Sequence, residues 1–184
     1  MIVALLAALS ASAAAGMRIA LPLLVIGLLQ TDSLWANIPL LWRVPPPVLL
    51  SILTSWSVFE LFGSKQLLGQ RILQVVELGL SPLVGGLLSV AMVKATGITI
   101  KPIWLIAIVG GLLALVLQLV QIGWFFRLRG LPIWLVLLED ALCVCLIFFA
   151  FNAPQQGGLI AMLLLWIAAR SSKEWHRWYK GKRN

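Results

Sequence analysis

The sequence predicts an all-α, polytopic integral membrane protein with about six transmembrane helices. Hydrophobic residues make up 61% of the 184 residues and charged residues only 11%, whereas a soluble domain is about half apolar and about a quarter charged. The apolar residues form runs near the roughly 20 residues that cross a bilayer. We therefore predict one transmembrane helical domain over residues 1–170, followed by a basic, aromatic tail over residues 171–184.

The first predicted span, residues 2–30, is longer than one straight crossing of a hydrocarbon core about 30 Å thick requires. Arg18 is its only charged residue, and a guanidinium in hydrocarbon costs at least about 2.5–3.5 kcal/mol on insertion scales. We expect the helix to break or tilt strongly near Gly16, just before this charge. Such breaks at membrane depth are tolerated where they line a cavity within the protein.

Five further spans follow a polar, Pro-rich connection. They are predicted at residues 47–63, 72–93, 103–126, 132–151 and 157–170. Pro82 is expected to kink the span that contains it, whereas Pro102 and Pro132 suit the first turn of a helix. Two sets of three spans permit a 3+3 inverted repeat of the kind found in transporters. Many proteins with six spans also divide into two sets of three by chance.

Basic residues predict the orientation of the chain. If both termini are cytoplasmic, ten Lys and Arg residues lie on the cytoplasmic side and three on the other, as the positive-inside rule requires. The ten are Lys65, Arg71, Arg127, Arg129, Arg170, Lys173, Arg177, Lys180, Lys182 and Arg183, and the three are Arg43, Lys94 and Lys101.

The tail combines this charge with aromatic residues. Trp175, Arg177, Trp178, Tyr179 and Lys180 are predicted to lie at the membrane interface, because amphipathic aromatic rings and long cationic side chains suit that depth. The expected partners are the lipid bilayer and its anionic headgroups. A protein partner is the alternative, and no motif for nucleic-acid binding accompanies the charge.

Four of the six acidic residues lie within or at the ends of apolar runs. With two basic residues they form a predicted charge cluster or pathway that consists of Arg18, Glu60, Lys65, Glu77, Glu139 and Asp140. Glu139 and Asp140 lie about two helical turns into their span, and two neighbouring carboxylates seldom both stay ionised without a cation. One hypothesis is that one of this pair binds Arg18 while the other titrates or binds a cation. The alternative is an architectural lock between Arg18 and an acid.

Glu60 permits two interpretations. It shares a helix face with Ser57 and Ser64, and a carboxylate among hydroxyl groups could coordinate a cation or pass a proton. Alternatively, Glu60 lies near the helix end and pairs with Lys65 or Arg71 at the membrane interface.

For Glu77 we favour helix packing over a pathway role. Glu77, Ser81 and Gly85 follow one another at intervals of four residues, and small residues permit close helix contact in membranes. Glu77 is also expected to reach headgroup depth. Gln118 and Gln121 share a face of the next span, where glutamines usually hydrogen-bond to other helices.

The sequence contains no recognisable catalytic motif. A Gly-rich phosphate loop, a metalloprotease helix and a nucleophile elbow are all absent, and His176 in the tail is the only histidine. Cys143 and Cys145 are two residues apart, a spacing that does not form a disulfide on a helix. We therefore predict that the protein is not an enzyme and that it needs no cofactor and no metal.

Short motifs along the chain carry a resemblance to a known family. They are Ala13-Ala14-Ala15-Gly16-Met17-Arg18 with Leu21-Pro22-Leu23-Leu24, Glu60 with Gly63 and Lys65, Pro82-Leu83-Val84-Gly85-Gly86-Leu87-Leu88, and Leu138-Glu139-Asp140-Ala141-Leu142. Over about residues 4–170 the chain resembles a bacterial family of small multi-pass membrane proteins that is catalogued as a domain of unknown function, DUF4126. The resemblance implies a bacterial inner or internal membrane and brings no activity with it. Near the second span the family pattern resembles Glu-x-x-x-Asp-Lys. In this chain Ser64 stands at the position of that Asp, and the loss of one acid weakens the case for cation coordination at Glu60.

Intramembrane charge without catalytic motifs leads to two functional hypotheses. The first is a small transporter or channel for an ion or small solute, with Arg18, Glu60, Glu139 and Asp140 along the pathway. The second is an accessory or assembly subunit of a larger membrane complex, in which the same charges are structural. A self-contained monomer or a homo-oligomer fits the first hypothesis, and a larger membrane complex fits the second.

Overall fold

The computed structural model describes residues 1–29, 45–63, 67–97, 101–128 and 132–181. These residues form seven α-helices and no strand, which confirms the predicted all-α class. The helices are α1 (Ile2–Met17), α2 (Ala20–Leu29), α3 (Pro46–Gly63), α4 (Leu67–Ala95), α5 (Ile103–Leu128), α6 (Ile133–Asn152) and α7 (Pro154–Gly181).

Three helical segments in the described part of the chain are long and apolar enough to cross a membrane. They are Ile72–Ala95 in α4, Ile103–Phe125 in α5 and Trp134–Asn152 in α6. Large apolar side chains point outwards along these helices, with Val75 73% and Trp134 65% exposed, whereas Arg18 is only 6% exposed. An apolar exterior around a charged interior is the arrangement of a membrane protein.

Helix α1 lies at the centre of the bundle and packs against α4, α5, α6 and α7. Its inward positions are occupied almost entirely by Ala, Ser and Gly, and such small residues let several helix backbones approach one another closely in lipid. The hydroxyl group of Ser10 donates to the carbonyl oxygen of Leu146 at 2.7 Å, and that of Ser12 donates to the carbonyl of Gly110. These bonds satisfy polar groups that water cannot reach.

Helices α4 and α5 form the most extensive pair. A Cβ atom added at Gly111 would lie only 2.7 Å from the carbonyl oxygen of Pro82, so a glycine is needed for this approach. Pro82 lies inside α4, and the helix continues on both sides of it. The close helix contact expected at Gly85 is also present, because an added Cβ atom there would lie 3.0 Å from the carbonyl oxygen of Gly110 in α5.

The break in the first predicted span lies after Gly16, not at it. Helix α1 ends at Met17, Arg18 has an extended backbone with φ −142° and ψ 145°, and α2 begins at Ala20. Gly16 lies within α1, where an added Cβ atom would come 2.7 Å from the Cα atom of Ala114 in α5. The glycine therefore serves helix packing, while the break coincides with the buried charge.

Helix α7 continues from the sixth predicted span into the basic tail. Only Ala153 separates α6 from α7, and α7 continues to Gly181, so the boundary predicted at residue 170 falls within a helix. Lys65 lies outside the described residues, as do the side chains of Trp175, Arg177, Trp178, Tyr179 and Lys180. Their predicted roles at the pathway and at the membrane interface stay predictions.

Candidate functional site: a buried charge cluster

Arg18 is the centre of a charge cluster formed by Arg18, Glu60, Glu77, Glu139 and Asp140. Its Nε atom donates to Oδ1 of Asp140 in α6 at 2.8 Å. Its Nη1 atom lies 3.5 Å from Oε1 of Glu77 in α4. The break between α1 and α2 therefore presents a guanidinium to acids from two other helices.

Glu77 is 4% exposed and is enclosed by the helix bundle. Its second carboxyl oxygen, Oε2, accepts a hydrogen bond of 3.0 Å from Nε2 of Gln118 in α5. The sequence analysis places Glu77 in the charge cluster with Arg18 but favours helix packing as its role, whereas the structure shows that Glu77 contacts Arg18 directly. Ser81, one turn along α4, does pack against α1, because its hydroxyl donates to the carbonyl oxygen of Ala15 at 3.4 Å.

Glu60 from α3 reaches the other side of the helix break. Its carboxyl group accepts a hydrogen bond of 2.7 Å from Nε1 of Trp56 and another from the backbone N–H of Ala20. Ala20 is the first residue of α2, where backbone N–H groups have no partner within the helix and the helix dipole favours negative charge. Glu60 therefore caps α2 from a different helix, which stabilises the broken backbone.

Glu139 differs from the other acids of the cluster. It is close enough to Arg18 to interact with it electrostatically, but within the described part of the chain it makes no ion pair or hydrogen bond. Successive residues of a helix point about 100° apart, so Asp140 faces Arg18 while Glu139 points elsewhere. The structure thus divides the Glu139-Asp140 pair into one paired and one unpaired acid.

The unpaired carboxyl group of Glu139 borders a cavity of about 290 Å³. The cavity lies between α1, α5, α6 and α7, and its walls are mainly apolar side chains such as Met17, Leu117 and Leu164. Gln121 also lines it, so the two glutamines of α5 have different surroundings. Gln118 contacts the charge cluster and Gln121 contacts the cavity.

Charge is unbalanced within the cluster. One guanidinium faces four carboxyl groups, and Arg18 contacts only two of them directly. A buried carboxylate that lacks a cation is costly, so it tends to take up a proton or attract a counter-ion. Across the described residues, no group of three His, Cys, Asp or Glu side chains could hold a metal ion. The arrangement is suited to proton binding or to transient contact with a monovalent cation.

Two hydroxyl groups of α3 near Glu60 in the sequence do not bond to it in the structure. Thr54 is exposed, and its hydroxyl donates to Leu50 in its own helix at 2.7 Å. The Oγ atom of Ser57 is buried without a hydrogen-bond partner among the described residues. Ser64 lies outside the described residues, and neither Thr54 nor Ser57 donates a hydrogen bond to Glu60.

Two contributors to the site were not singled out by the sequence. Trp56 and the backbone N–H of Ala20 both hold Glu60. Trp56 stands four residues before Glu60, which is the spacing of side chains that meet on one helix face. That spacing could have indicated the contact, whereas nothing local predicts a bond to Ala20, forty residues away.

Comparison with known proteins supports the family resemblance. Searches among curated proteins and among solved structures found no match. The family model described as "Domain of unknown function (DUF4126)" matches residues 5–174, which include every residue of the charge cluster. Because the match covers most of the chain, this protein belongs to the DUF4126 family.

Proposed function

We propose that the protein is a small membrane transporter or channel for an ion or small solute, and that the charge cluster binds and releases protons during transport. The observation that carries this proposal is a broken helix whose buried guanidinium contacts Glu77 and Asp140 and whose backbone end bonds to Glu60, with a fourth acid, Glu139, nearby and unpaired among the described residues. Broken helices of this kind form the binding sites of many secondary transporters.

The cluster contains more acids than bases, so one acid lacks a cation and can exchange a proton. Asp140 and Glu77 contact Arg18 at the same time through different nitrogen atoms, whereas Glu139 has no direct partner in the described structure. When a proton or a cation arrives at Glu139, it neutralises a carboxylate in apolar surroundings, which is favourable. Its departure leaves an anion that Arg18 stabilises from a distance. Glu139 can therefore both take up and release a proton or a cation.

Gln118 supports the same proposal because its side-chain amide has both a donor group and an acceptor atom. Its NH₂ group donates to Glu77, while its carbonyl oxygen Oε1 is buried without a partner in the described part of the protein. An amide that rotates can accept a hydrogen bond from a protonated carboxyl group as well as donate to an ionised one. Gln118 can therefore accommodate either protonation state of Glu77.

This function needs a defined placement in the membrane. We propose six crossings, in which α1 and α2 together make one and α3, α4, α5, α6 and the first part of α7 make the others. The length and apolar composition of α4, α5 and α6 support three of them. Both termini would be cytoplasmic, with the basic tail at anionic headgroups. The 3+3 inverted repeat and a bacterial inner membrane belong to the same proposal.

Proton flux into liposomes tests the transport role. Purified protein would be reconstituted around a trapped pH-sensitive dye, and flux would be driven by an imposed membrane potential. We expect the double variant Glu139→Gln, Asp140→Asn to fall to the rate of protein-free liposomes. Glu139→Gln alone is expected to fold normally, because Glu139 makes no ion pair among the described residues, and to slow the flux. Wild-type rates in both variants would refute the proposal.

A matched control removes a carboxyl group elsewhere. Glu174 belongs to the basic tail of the sequence and is not one of the five residues that define the charge cluster, so Glu174→Gln deletes the same chemical group and leaves those five residues intact. Flux in this variant is expected to equal that of the wild type. An equal loss of flux in Glu174→Gln and Glu139→Gln would point to a general effect of net charge.

One observation favours the alternative function, that of an accessory or assembly subunit. The ion pair between Arg18 and Asp140 is direct, at 2.8 Å, and both partners are largely enclosed, as in an architectural lock. Purification in mild detergent separates the two functions. Stoichiometric recovery with a large membrane complex would favour the subunit, and a self-contained monomer or homodimer would favour the transporter.

A further inference from the structure

We propose that the cavity between α1, α5, α6 and α7 is a binding site for a lipophilic organic cation, whose charged nitrogen is recognised by Glu139. The inference goes beyond the proposed transport function, because a binding site of this kind can exist whether or not the ligand crosses the membrane. It follows from the chemistry of the cavity walls, from the free carboxyl group and from the size of the space.

The walls of the cavity select a ligand with an apolar body. Leucine, isoleucine and valine side chains form most of the lining, and Ala168 from α7 and Met17 from α1 contribute further hydrocarbon. Burial of apolar surface against such walls favours binding. The volume of about 290 Å³ is close to the lower limit of about 300 Å³ for small-molecule sites, so the ligand is small.

The single carboxyl group selects the charge of the ligand. Glu139 lines the cavity, and no described residue donates a hydrogen bond to it or pairs with it. Arg18, the nearby cation, is occupied by Asp140 and Glu77. An anionic ligand would be repelled by Glu139, and a neutral one would leave it uncompensated in apolar surroundings. An ammonium group supplies the missing charge.

An aromatic residue in the wall suits the same ligand. Trp124 lines the cavity, and its Nε1 atom donates to Oγ of Ser171 in α7 at 3.0 Å. This bond ties α5 to α7 beside the cavity and fixes the position of the indole. Trp124 is 36% exposed, and indole rings attract quaternary ammonium groups at exposed sites as well as at desolvated ones. The lining therefore combines a carboxylate, an indole and hydrocarbon.

Benzyltrimethylammonium is a suitable probe, because its charge is permanent, and neopentylbenzene is its neutral isostere. Binding of both would be measured by calorimetry on the purified full-length protein in detergent, with protein-free micelles as the blank. We expect saturable binding of the cation to the wild type. In Glu139→Gln, we expect binding of the cation to weaken by about tenfold or more, as for loss of a charge-assisted contact, and binding of the isostere to be unchanged.

Two further variants test the cavity itself. Ala168 is 2% exposed and lines the cavity, so Ala168→Leu reduces the space and should weaken binding of both probes. Leu163, on the same helix, is 56% exposed and does not line the cavity. Leu163→Phe is therefore the matched control and should bind both probes like the wild type.

Three results would overturn the inference. They are equal affinity of the cation for the wild type and Glu139→Gln, equal affinity of the wild type for both probes, and a co-purified lipid in the cavity that the cation does not displace. Failure of this binding with intact proton flux would leave the transport proposal standing. Binding that persists without any flux would show a ligand site in a protein that does not transport.

Discussion

Nε of Arg18 and Oδ1 of Asp140 lie 2.8 Å apart, although the two residues are 122 positions apart in the chain. The contact joins the break after α1 to the middle of α6, so it links the first and the penultimate helical regions of the bundle. The side chain of Arg18 is 7% exposed and that of Asp140 17% exposed. An ion pair that is largely removed from water offsets its desolvation cost only if its geometry is good and its remaining polar atoms are hydrogen-bonded.

We first predict a strong coupling between these two residues. Arg18→Gln leaves two buried acids without their cation and should destabilise the protein by about 3–5 kcal/mol. The double variant Arg18→Gln, Asp140→Asn removes one of those acids as well, so it should be more stable than Arg18→Gln alone. Unfolding in detergent measures both effects.

Arg127 offers a control for the substitution of Arg18. It is exposed near the end of α5, and Arg127→Gln should change stability by no more than about 0.5 kcal/mol, as is usual for a surface substitution. A double variant that is less stable than Arg18→Gln alone would contradict the coupling, because it would mean that Arg18 and Asp140 contribute independently.

The second prediction concerns Gly16 and Ala114. A Cβ atom at Gly16 would lie 2.7 Å from both Cα and the carbonyl oxygen of Ala114, and backbone atoms cannot move aside without separating α1 from α5. Gly16→Ala should therefore destabilise the protein by about 1–3 kcal/mol through overpacking.

Gly79 in α4 provides a matched substitution. A Cβ atom added there meets nothing within 4 Å, so Gly79→Ala should be neutral or stabilise its helix by up to about 1 kcal/mol. Thermal unfolding of the two alanine variants, measured side by side, checks the contrast. Equal melting temperatures would show that α1 and α5 do not approach as closely as described.

The sequence predicts the members of the charge cluster better than it predicts their pairing. Isolated charges in apolar runs identify Arg18, Glu139 and Asp140 from transfer energies alone. Which of the two neighbouring acids faces Arg18 depends on the rotation of α6 about its axis, and that rotation is set by contacts with several other helices. Local sequence does not contain this information.

Glu77 shows a second limit of prediction from sequence. Its distance from the end of an apolar run is compatible with headgroup depth, but the run is part of a helix of 29 residues that begins at Leu67. The position of Glu77 beside Arg18 follows from the packing of α4 on α1. The helix break is a similar case. The length of the span and its buried charge predict a break near Gly16, and the structure has it at Arg18 and Ile19, between the end of α1 and the start of α2.

The third prediction concerns the cap that Glu60 provides for α2. Glu60→Ala removes the acceptor for the Ala20 N–H group and for Trp56, and loss of a helix cap costs about 0.5–2 kcal/mol. The first turn of α2 should then open more often. Hydrogen–deuterium exchange of a peptide covering residues 18–24 measures this opening, which should be faster than in the wild type.

Trp56→Phe distinguishes the two bonds of Glu60. Phenylalanine keeps an aromatic ring near Phe59, whose ring centroid lies 5.9 Å from that of Trp56, but it removes the N–H donor. Exchange in residues 18–24 should then rise less than in Glu60→Ala, because the Ala20 bond is retained. Equal exchange in wild type and Glu60→Ala would rule out the capping role.

The last prediction separates structure from transport at Gln118. Gln118→Leu removes the hydrogen bond to Glu77 but also removes a buried carbonyl oxygen that lacks a partner in the described structure. These two effects oppose each other, so the change in stability should be within about 1 kcal/mol. Proton flux should nevertheless fall, because leucine can neither donate to an ionised Glu77 nor accept from a protonated one.

Gln156 supplies the amide control for this experiment. It is exposed in the first turn of α7, away from the charge cluster, and Gln156→Leu should leave both stability and flux unchanged. If Gln118→Leu retained full flux but lost stability, Gln118 would act only as a support for Glu77. A normal fold combined with slow flux would instead indicate that the amide takes part in proton exchange, because only its two-ended hydrogen bonding has been removed.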